Sequence, residues 1–543
     1  MSALSKRTLK RVLGELPLTA EVYWQLRQPG KPLNKSFSLR RTTQRLPEWY
    51  AQAEAARLDR AAQAARRRIM IFSTLRYWIE HAALMGLALA GLGHEVTLAF
   101  LPYANWRKPL TRFDLRRQNA YAHSVLSKAS PLLKSVSLLD VKPAAAPLPA
   151  VLREALQAVS LRDVQYTLQV EDVDLDGELY RLRLERNTQA VRAALAWMQA
   201  NRPEVVVTPN GSILEMGMVY AAARHLNIPV VTYEFGEQRE RIWLAGNAEV
   251  MHQETDALWA ARQDCPLTES QWSQVRALFA SRQRADLWEN FSRRWQGLPN
   301  QGGEQARQAL GLDSRPVVLL AANVIGDSLT LGRQVFTDSM TVWLERIVLD
   351  LAQRPGVQLV VRIHPGERYT QGPSVADVVQ RVLPDLPEHI HLVAAADPVN
   401  TYDLVEIADL GLVYTTTVGM EMAMSGVPVI PVGQTHYRSK GFTLDPDSWQ
   451  AYLEILEQVL AAPERFRLSQ LQVKQAWNYA YRFFFEYPCP FPWHLLHFWN
   501  ELETWPMARV LSDEGQVEFG QTFRYLSGEP RRWPDLGEVG KTV

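Results

Sequence analysis

Five short runs of apolar, largely β-branched residues recur at helix-length intervals between positions 315 and 443: PVVLLAA from Pro316, VQLVVRI from Val357, IHLVA from Ile390, LGLVYT from Leu410 and VPVIPV from Val427. Runs this short, bounded by Gly, Pro and polar residues, read as strands, and the segments between them are long enough for helices. Strand and helix alternating in this way imply a parallel sheet covered by helices on both faces. The same pattern occurs earlier. RIMIF from Arg68 is followed by the helix-length STLRYWIEHAALMGLALAGLG, with Gly91 and Gly93 as its stop, and then by HEVTLAF. Further strand candidates lie at 136–139, 204–208 and 230–233.

A chain of 543 residues exceeds the roughly 250 to 300 at which one hydrophobic core stops growing. Two doubly wound Rossmann-like parallel-sheet domains facing a cleft are therefore expected, with a helical N-terminal extension. The boundaries read from the pattern are a basic helical extension at 1–67, a first sheet domain at 68–265 with a helical insertion near 151–200, a helical linker at 266–314, a second sheet domain at 315–470, and an aromatic-rich helix and tail at 471–543. Aromatics in that tail, among them Trp477, Phe483 and Trp493, read as a helix packing back on the domains in preference to a partner or membrane contact.

Charge narrows the partners. The formal net charge is +1, which gives no general reason for nucleic-acid binding. The first 68 residues are nevertheless basic, with 15 Lys/Arg against 5 Asp/Glu. Such a run usually faces water, and peripheral contact with an anionic membrane surface at the inner face is the alternative. No signal-type apolar run and no stretch of about 18 apolar residues is present, so a cytoplasmic location is expected. Cys265 and Cys489 are the two cysteines, and their separation suggests neither a disulfide framework nor a zinc site. Asp172, Asp174, Asp176 and Gly177 imitate the start of a calcium loop, but its twelfth position is Arg183, so a solvated acidic turn is expected and no metal or other cofactor is predicted.

In open α/β sheets ligands bind beyond the carboxyl ends of the strands. Four loops there carry polar residues. In VYTTTVGMEMAMSG a strand gives way to a helix near Val418, so Thr416, Thr417, Val418 and Gly419 can receive a phosphate at the helix N-terminus. Met420, Ala423 and Met424 share one helical face, which turns Glu421 away from the core and toward ribose hydroxyls. RIHPGE places Arg362, His364, Pro365 and Glu367 at a second strand end. AANVIGD supplies Asn323 and Asp327 at a third. GQTHYRSKGFT supplies His436, Tyr437, Arg438, Lys440 and Gly441 at a fourth. Convergent polar loops of this kind make a site.

The stretch from Asn323 to Thr443 resembles bacterial capsule and surface-polysaccharide glycosyltransferases. NVIGDS, a helix containing Trp343, RIHPGE, TTTVGMEMAMSGVPVI and HYRSKGFT stand in that family's order, and YAYRFFFEYPCPFP from Tyr479 extends the likeness. The resemblance implies a GT-B-like α/β fold, a nucleotide-sugar donor on the second domain, and a glycan or glycolipid acceptor on the first. It places His364 and Pro365 near the donor phosphate and Glu421 on the nucleotide. A hexosyl- or acid-sugar transferase acting in capsular polysaccharide synthesis is implied, with the nucleotide sugar as co-substrate.

Transfer needs a base for the acceptor hydroxyl and support for the departing phosphate. His364 and Lys440 suit the second task. For the base, Glu234 follows an apolar strand directly, whereas Glu237 lies in a charged run, and Glu80 or His81 after the first strand could serve instead. Asn210 and Glu215 stand after another strand. The alternatives are another GT-B-fold enzyme, such as a sugar-nucleotide epimerase or a polyol-phosphate transferase, or a non-catalytic nucleotide-sugar binding subunit.

Overall fold

A computed structural model describes residues 3–59, 66–143, 146–291 and 297–533. The ends of the expected extension and tail, and part of the expected linker, lie outside these residues. The chain divides into two compact units, each assembled from separate segments.

The first unit comprises Met1–Asp163, Asp174–Met251 and Cys489–Arg531. Its strands are β1 (Arg68–Thr74), β2 (Glu95–Leu101), β3 (Leu133–Ser137), β4 (Val205–Pro209), β5 (Val230–Glu234) and β6 (Arg241–Gly246). The second unit holds β7 (Val317–Ala321), β8 (Gln358–Arg362), β9 (Ile390–Val393), β10 (Leu410–Val413) and β11 (Val429–Pro431). A two-residue strand, β12 (Cys489–Pro490), returns to the first unit and pairs antiparallel with β6.

Both sheets have the same winding. The first runs β3-β2-β1-β4-β5 in parallel, and then adds β6 antiparallel to β5 and β12 antiparallel to β6. The second runs β9-β8-β7-β10-β11, parallel throughout. In each, the first two crossovers go one way and the next two the other, so the winding reverses between the first and fourth strands of the unit: β1 and β4, and β7 and β10. That reversal leaves a crevice at the carboxyl edge, the place where doubly wound sheets bind ligands.

Side-chain alternation explains why both faces are covered. On the second sheet, Val318 and Leu320 join a core with Leu359, Val361, Leu410 and Leu412, while Val317, Leu319 and Ala321 join another with Val360, Val413 and Val429. Period-2 side chains that are apolar in both phases need a layer of helices on each side. The first sheet is buried likewise, from Ile69, Ile71, Val205 and Val207 outward.

The N-terminal extension consists of the helices Ala3–Glu15, Thr19–Arg27 and Arg40–Asp59, and its Phe37, Leu46, Trp49 and Ala53 join the first unit's core. The units divide the chain differently from the expected boundaries. The first unit's second segment runs to Met251, and the stretch expected as a linker falls in the second unit's segment His252–Pro488. Val164–Val173, within the expected insertion, also belongs to the second unit, where the Glu171 carboxylate accepts from the amides of Met340 and Thr341 at 2.8 Å and caps the helix Met340–Ala352. The aromatic tail is divided: Tyr479 and Phe483 are buried in the second unit, whereas Phe491, Trp493, Phe498 and Phe523 join the first unit's core. No helix among the described residues is long and apolar enough to cross a membrane.

Candidate active site

Register brings the second unit's loops to one level. Pro431 pairs with Val413, Val413 with Ala321, Ala321 with Arg362, and Arg362 with Val393, so the five strands end in a single row. The loops after β7, β8 and β10 then emerge side by side at the reversal point. Asn323 ties two of them together, its Oδ1 accepting from the Thr415 amide at 3.1 Å.

The turn Thr415–Gly419 lies at the start of the helix Val418–Met424. Tyr437 supports it from the interior: its hydroxyl donates to the Thr416 carbonyl at 2.7 Å, and the ring is fully buried. Gly419 must be glycine here, because a β-carbon would stand 2.4 Å from the Tyr437 hydroxyl oxygen and 2.9 Å from Val413. Two buried side-chain atoms of this element have no hydrogen-bond partner, Thr415 Oγ1 and Glu421 Oε2. Buried polar atoms are nearly always paired, so such orphans point to an occupant. Glu421 is not turned out of the packing as its helical position implies. It is 6% exposed, and its Oε1 forms an ion pair with Arg282 of the helix Glu269–Gln283. The pair fixes the carboxylate while leaving its second oxygen available.

His364 is exposed at the end of β8, and its Nδ1 accepts from the Gly366 amide at 3.0 Å. That bond requires the neutral ring to carry its proton on Nε2, so His364 presents an N–H donor. Desolvation lowers its pKa, with the charge of Asp327 acting in the opposite direction. Burial raises the pKa of Asp327, whose Oδ1 accepts from the Ser328 amide at 2.7 Å. Gly326, at φ 68°, allows the loop to pass the backbone of Val170, where a β-carbon would meet the nitrogen at 2.6 Å.

Several expected contacts are already occupied by the protein. Arg362 is buried and donates to the Ala394 carbonyl at 2.6 Å and to Thr401, and burial lowers its pKa to about 10. Glu367, beside Pro365 in a short 3-10 turn, accepts from the Val375 amide at 3.2 Å. The Gly419 amide, expected to face a phosphate, bonds to the Thr416 carbonyl at 3.2 Å, and the Val418 amide makes a long 3.5 Å contact with Thr416 Oγ1. The helix begins at Val418 and Thr417 forms its cap without a side-chain bond.

The fourth loop is a buttress. His436 stacks on Phe483 at 3.7 Å, Arg438 donates to the carbonyls of Pro431 and Pro446, and Lys440 is buried in an ion pair with Asp256. Gly441 turns the chain at φ 92°. Tyr437 thus acts on the site through the Thr416 carbonyl it holds, and the Lys440 ammonium is engaged by the surface carboxylate of Asp256.

In the first unit, Glu234 closes β5 and is half-buried. Its Oε2 accepts from Asn210 Nδ2 at 3.2 Å and its Oε1 from the Phe235 amide at 3.1 Å. Burial raises its pKa to about 7, the range a general base needs near neutral pH. Asn210, just after β4, is at φ 58° and also accepts from Ser212, which fixes the orientation of its amide toward Glu234.

The other proposed bases are placed differently. Both lie inside the helix Arg76–Gly91. Glu80 is 3% exposed and accepts from Thr42. His81 is fully buried among Tyr233, Phe235, Phe491 and Phe498, its Nε2 bonded to the Trp493 carbonyl at 2.9 Å, and burial lowers its pKa to about 4. Neither can meet a substrate hydroxyl in this arrangement. Glu215 is buried in a cluster with Arg183 and Asp163, and the Asp163 carboxylate also accepts from the Leu214 amide. This cluster fixes the segment after Asn210 and has no counterpart in the sequence reading. The turn at Asp174–Asp176 is exposed, and among the described residues no group of His, Cys, Asp and Glu is disposed to hold a metal.

No known family profile matches the chain, and no curated protein matches it. Among solved structures it is similar to KpsC of Thermosulfurimonas dismutans, a beta Kdo 2,4 transferase, at 18% identity over 51% of this chain and 79% of that one, with a TM-score of 0.31. The beta Kdo 2,7 transferase of the same organism's KpsC gives 14% identity, 52% and 79% coverage, and a TM-score of 0.30. UDP-GlcNAc 2-epimerase from Neisseria meningitidis, bound to UDP-GlcNAc, gives 13%, 78% and 99%, and 0.25. Likenesses at these identities and TM-scores assign no substrate and no residue role to this chain.

Proposed function

We propose that this protein is a glycosyltransferase, moving a sugar from a nucleotide-activated donor to a hydroxyl of a glycan or glycolipid acceptor in capsular or surface polysaccharide synthesis. The observation that carries the reading is the pair of orphaned buried atoms, Thr415 Oγ1 and Glu421 Oε2, on the element that follows β10 at the reversal point of the second sheet. A donor nucleotide offers what they lack. Its ribose hydroxyls can donate to Glu421 Oε2, and a phosphate oxygen can accept from the Thr415 hydroxyl. His364 Nε2–H is a second donor for the phosphate, strongest when the transferred sugar leaves and negative charge collects there.

On the first unit Glu234 is the base. With a pKa of about 7 it is largely ionised at slightly alkaline pH, takes the proton of the acceptor hydroxyl, and so allows that oxygen to bond to the sugar's anomeric carbon as the bond to the nucleotide phosphate breaks. The rate should rise with pH through about 7, because the base must first lose its proton. Glu234→Gln is expected to lower kcat by roughly 10²- to 10⁴-fold, the usual range for loss of general-base catalysis, with nucleotide affinity unchanged. The measurement is transfer from a panel of nucleotide sugars, paired with nucleotide titration. Undiminished transfer by Glu234→Gln would remove Glu234 from the reaction, and unchanged nucleotide affinity in Glu421→Gln would remove the donor site.

A further inference from the structure

The helices Ala3–Glu15 and Thr19–Arg27 form a hairpin that uses one side to dock on the rest of the first unit. Gly14 lies so close to the helix Arg112–Leu126 that a β-carbon would stand 2.8 Å from the Phe113 nitrogen. Ala20 and Trp24 are buried, and Tyr23 meets Phe113 edge-on at 5.6 Å. Glu15 pairs with Arg112 and Glu21 with Arg116, both at 2.5 Å, so the hairpin's acidic side chains are neutralised at this contact.

The other side is apolar and uncovered. Leu9, Val12, Leu16, Leu18, Val22 and Leu26 are 48% to 74% exposed. Leu9, Val12 and Leu16 follow helical spacing along one face, as do Val22 and Leu26 along another. Leu18, between the helices, has left-handed backbone angles of φ 62° and ψ −9° and is 69% exposed. A side chain bearing a β-carbon is strained there, so the fold bears a cost to set a leucine at the hairpin tip in water. Arg11 and Arg27 on the two helices, and Lys31 just beyond, are exposed as well.

We propose that this hairpin docks the protein on a lipid bilayer carrying anionic headgroups. Apolar side chains at a strained tip suit insertion at the headgroup boundary, and cations on the same element suit the negative surface potential of such a bilayer. A second copy is a poorer occupant, because its hairpin has no free acidic side chain to meet Arg11, Arg27 and Lys31: Glu15 and Glu21 are paired with Arg112 and Arg116. The inference does not depend on the transfer reaction.

The test is co-sedimentation of the full chain with vesicles. Phosphatidylglycerol-containing vesicles are expected to bind the protein, less as salt rises, and phosphatidylcholine vesicles to bind it weakly. Leu18→Glu combined with Leu26→Glu should reduce the partition by about tenfold or more. Its melting midpoint and nucleotide response should match the parent chain, since both side chains are exposed. Arg11→Glu with Arg27→Glu provides a second variant that leaves the apolar side intact and should lose the preference for phosphatidylglycerol. Failure of the parent chain to bind anionic vesicles, or equal binding by the leucine variant, overturns the proposal. So does a change from dimer to monomer in that variant by light scattering, which would assign the face to a second copy.

Discussion

Glu80 shows how burial alone alters a carboxyl group that looked chemically available. Enclosed in its helix against Thr42, it has a pKa raised to about 7, with desolvation as the largest cause. The folded chain therefore holds this proton more tightly than the unfolded chain. The stabilisation is complete below about pH 4.5 and is lost as pH rises through 7, at a cost of at most about 3 kcal/mol. Glu80→Gln, which can still accept from Thr42, should raise the melting midpoint at pH 8 and leave it nearly unchanged at pH 4.5. A fall at pH 8 would show that the charged form is useful there. The sequence put Glu234 first, directly after an apolar strand, and offered Glu80 or His81 after the first strand in its place. Only Glu234 combines a strand end with partial exposure and a polar neighbour, Asn210, because the helix after β1 turns the other two into packed interior. Arg282 was illegible for a different reason: it meets Glu421 across 139 positions, and no local pattern marks such a pair.

At the scale of elements, the turn after β10 depends on the loop after β11. Tyr437 reaches the Thr416 carbonyl from the interior, and Gly419 leaves the space for its hydroxyl. Tyr437→Phe removes the bond and keeps the ring, so it should cost about 1 kcal/mol in stability and weaken nucleotide binding severalfold without changing the pH dependence of transfer. Calorimetric titration with nucleoside diphosphates checks this, and an unaltered affinity would make the bond irrelevant to the site. The strands were legible because runs apolar in both phases of the pleat can only be covered on both faces. HYRSKGFT was read as a ligand loop because its cations and tyrosine look available in sequence, whereas burial and the partners Pro431, Pro446 and Asp256 engage them. β6 lay hidden because it begins within the charged run that holds Glu237, and the two residues of β12 are too few for any periodicity.

At the scale of the whole molecule, both sheets were expected and both are present, with their winding reversed at equivalent places. The composition of the units was less legible. Residues 164–173 and 489–531 each pack with the unit that their chain neighbours do not lead one to expect, and such exchanges are decided by tertiary contacts such as Glu171 capping the helix at Met340. The central claim is that the reversal point of the second sheet receives a nucleotide through Thr415, His364 and Glu421. Thermal unfolding of the parent chain and of Glu421→Gln, with and without a panel of nucleoside diphosphates and nucleotide sugars, tests it most directly. A ligand at about 100 times its Kd should add about 2.7 kcal/mol to the parent chain, and the variant should lose most of that gain. No response of the parent chain to any nucleotide, or an equal response in Glu421→Gln, would contradict the claim.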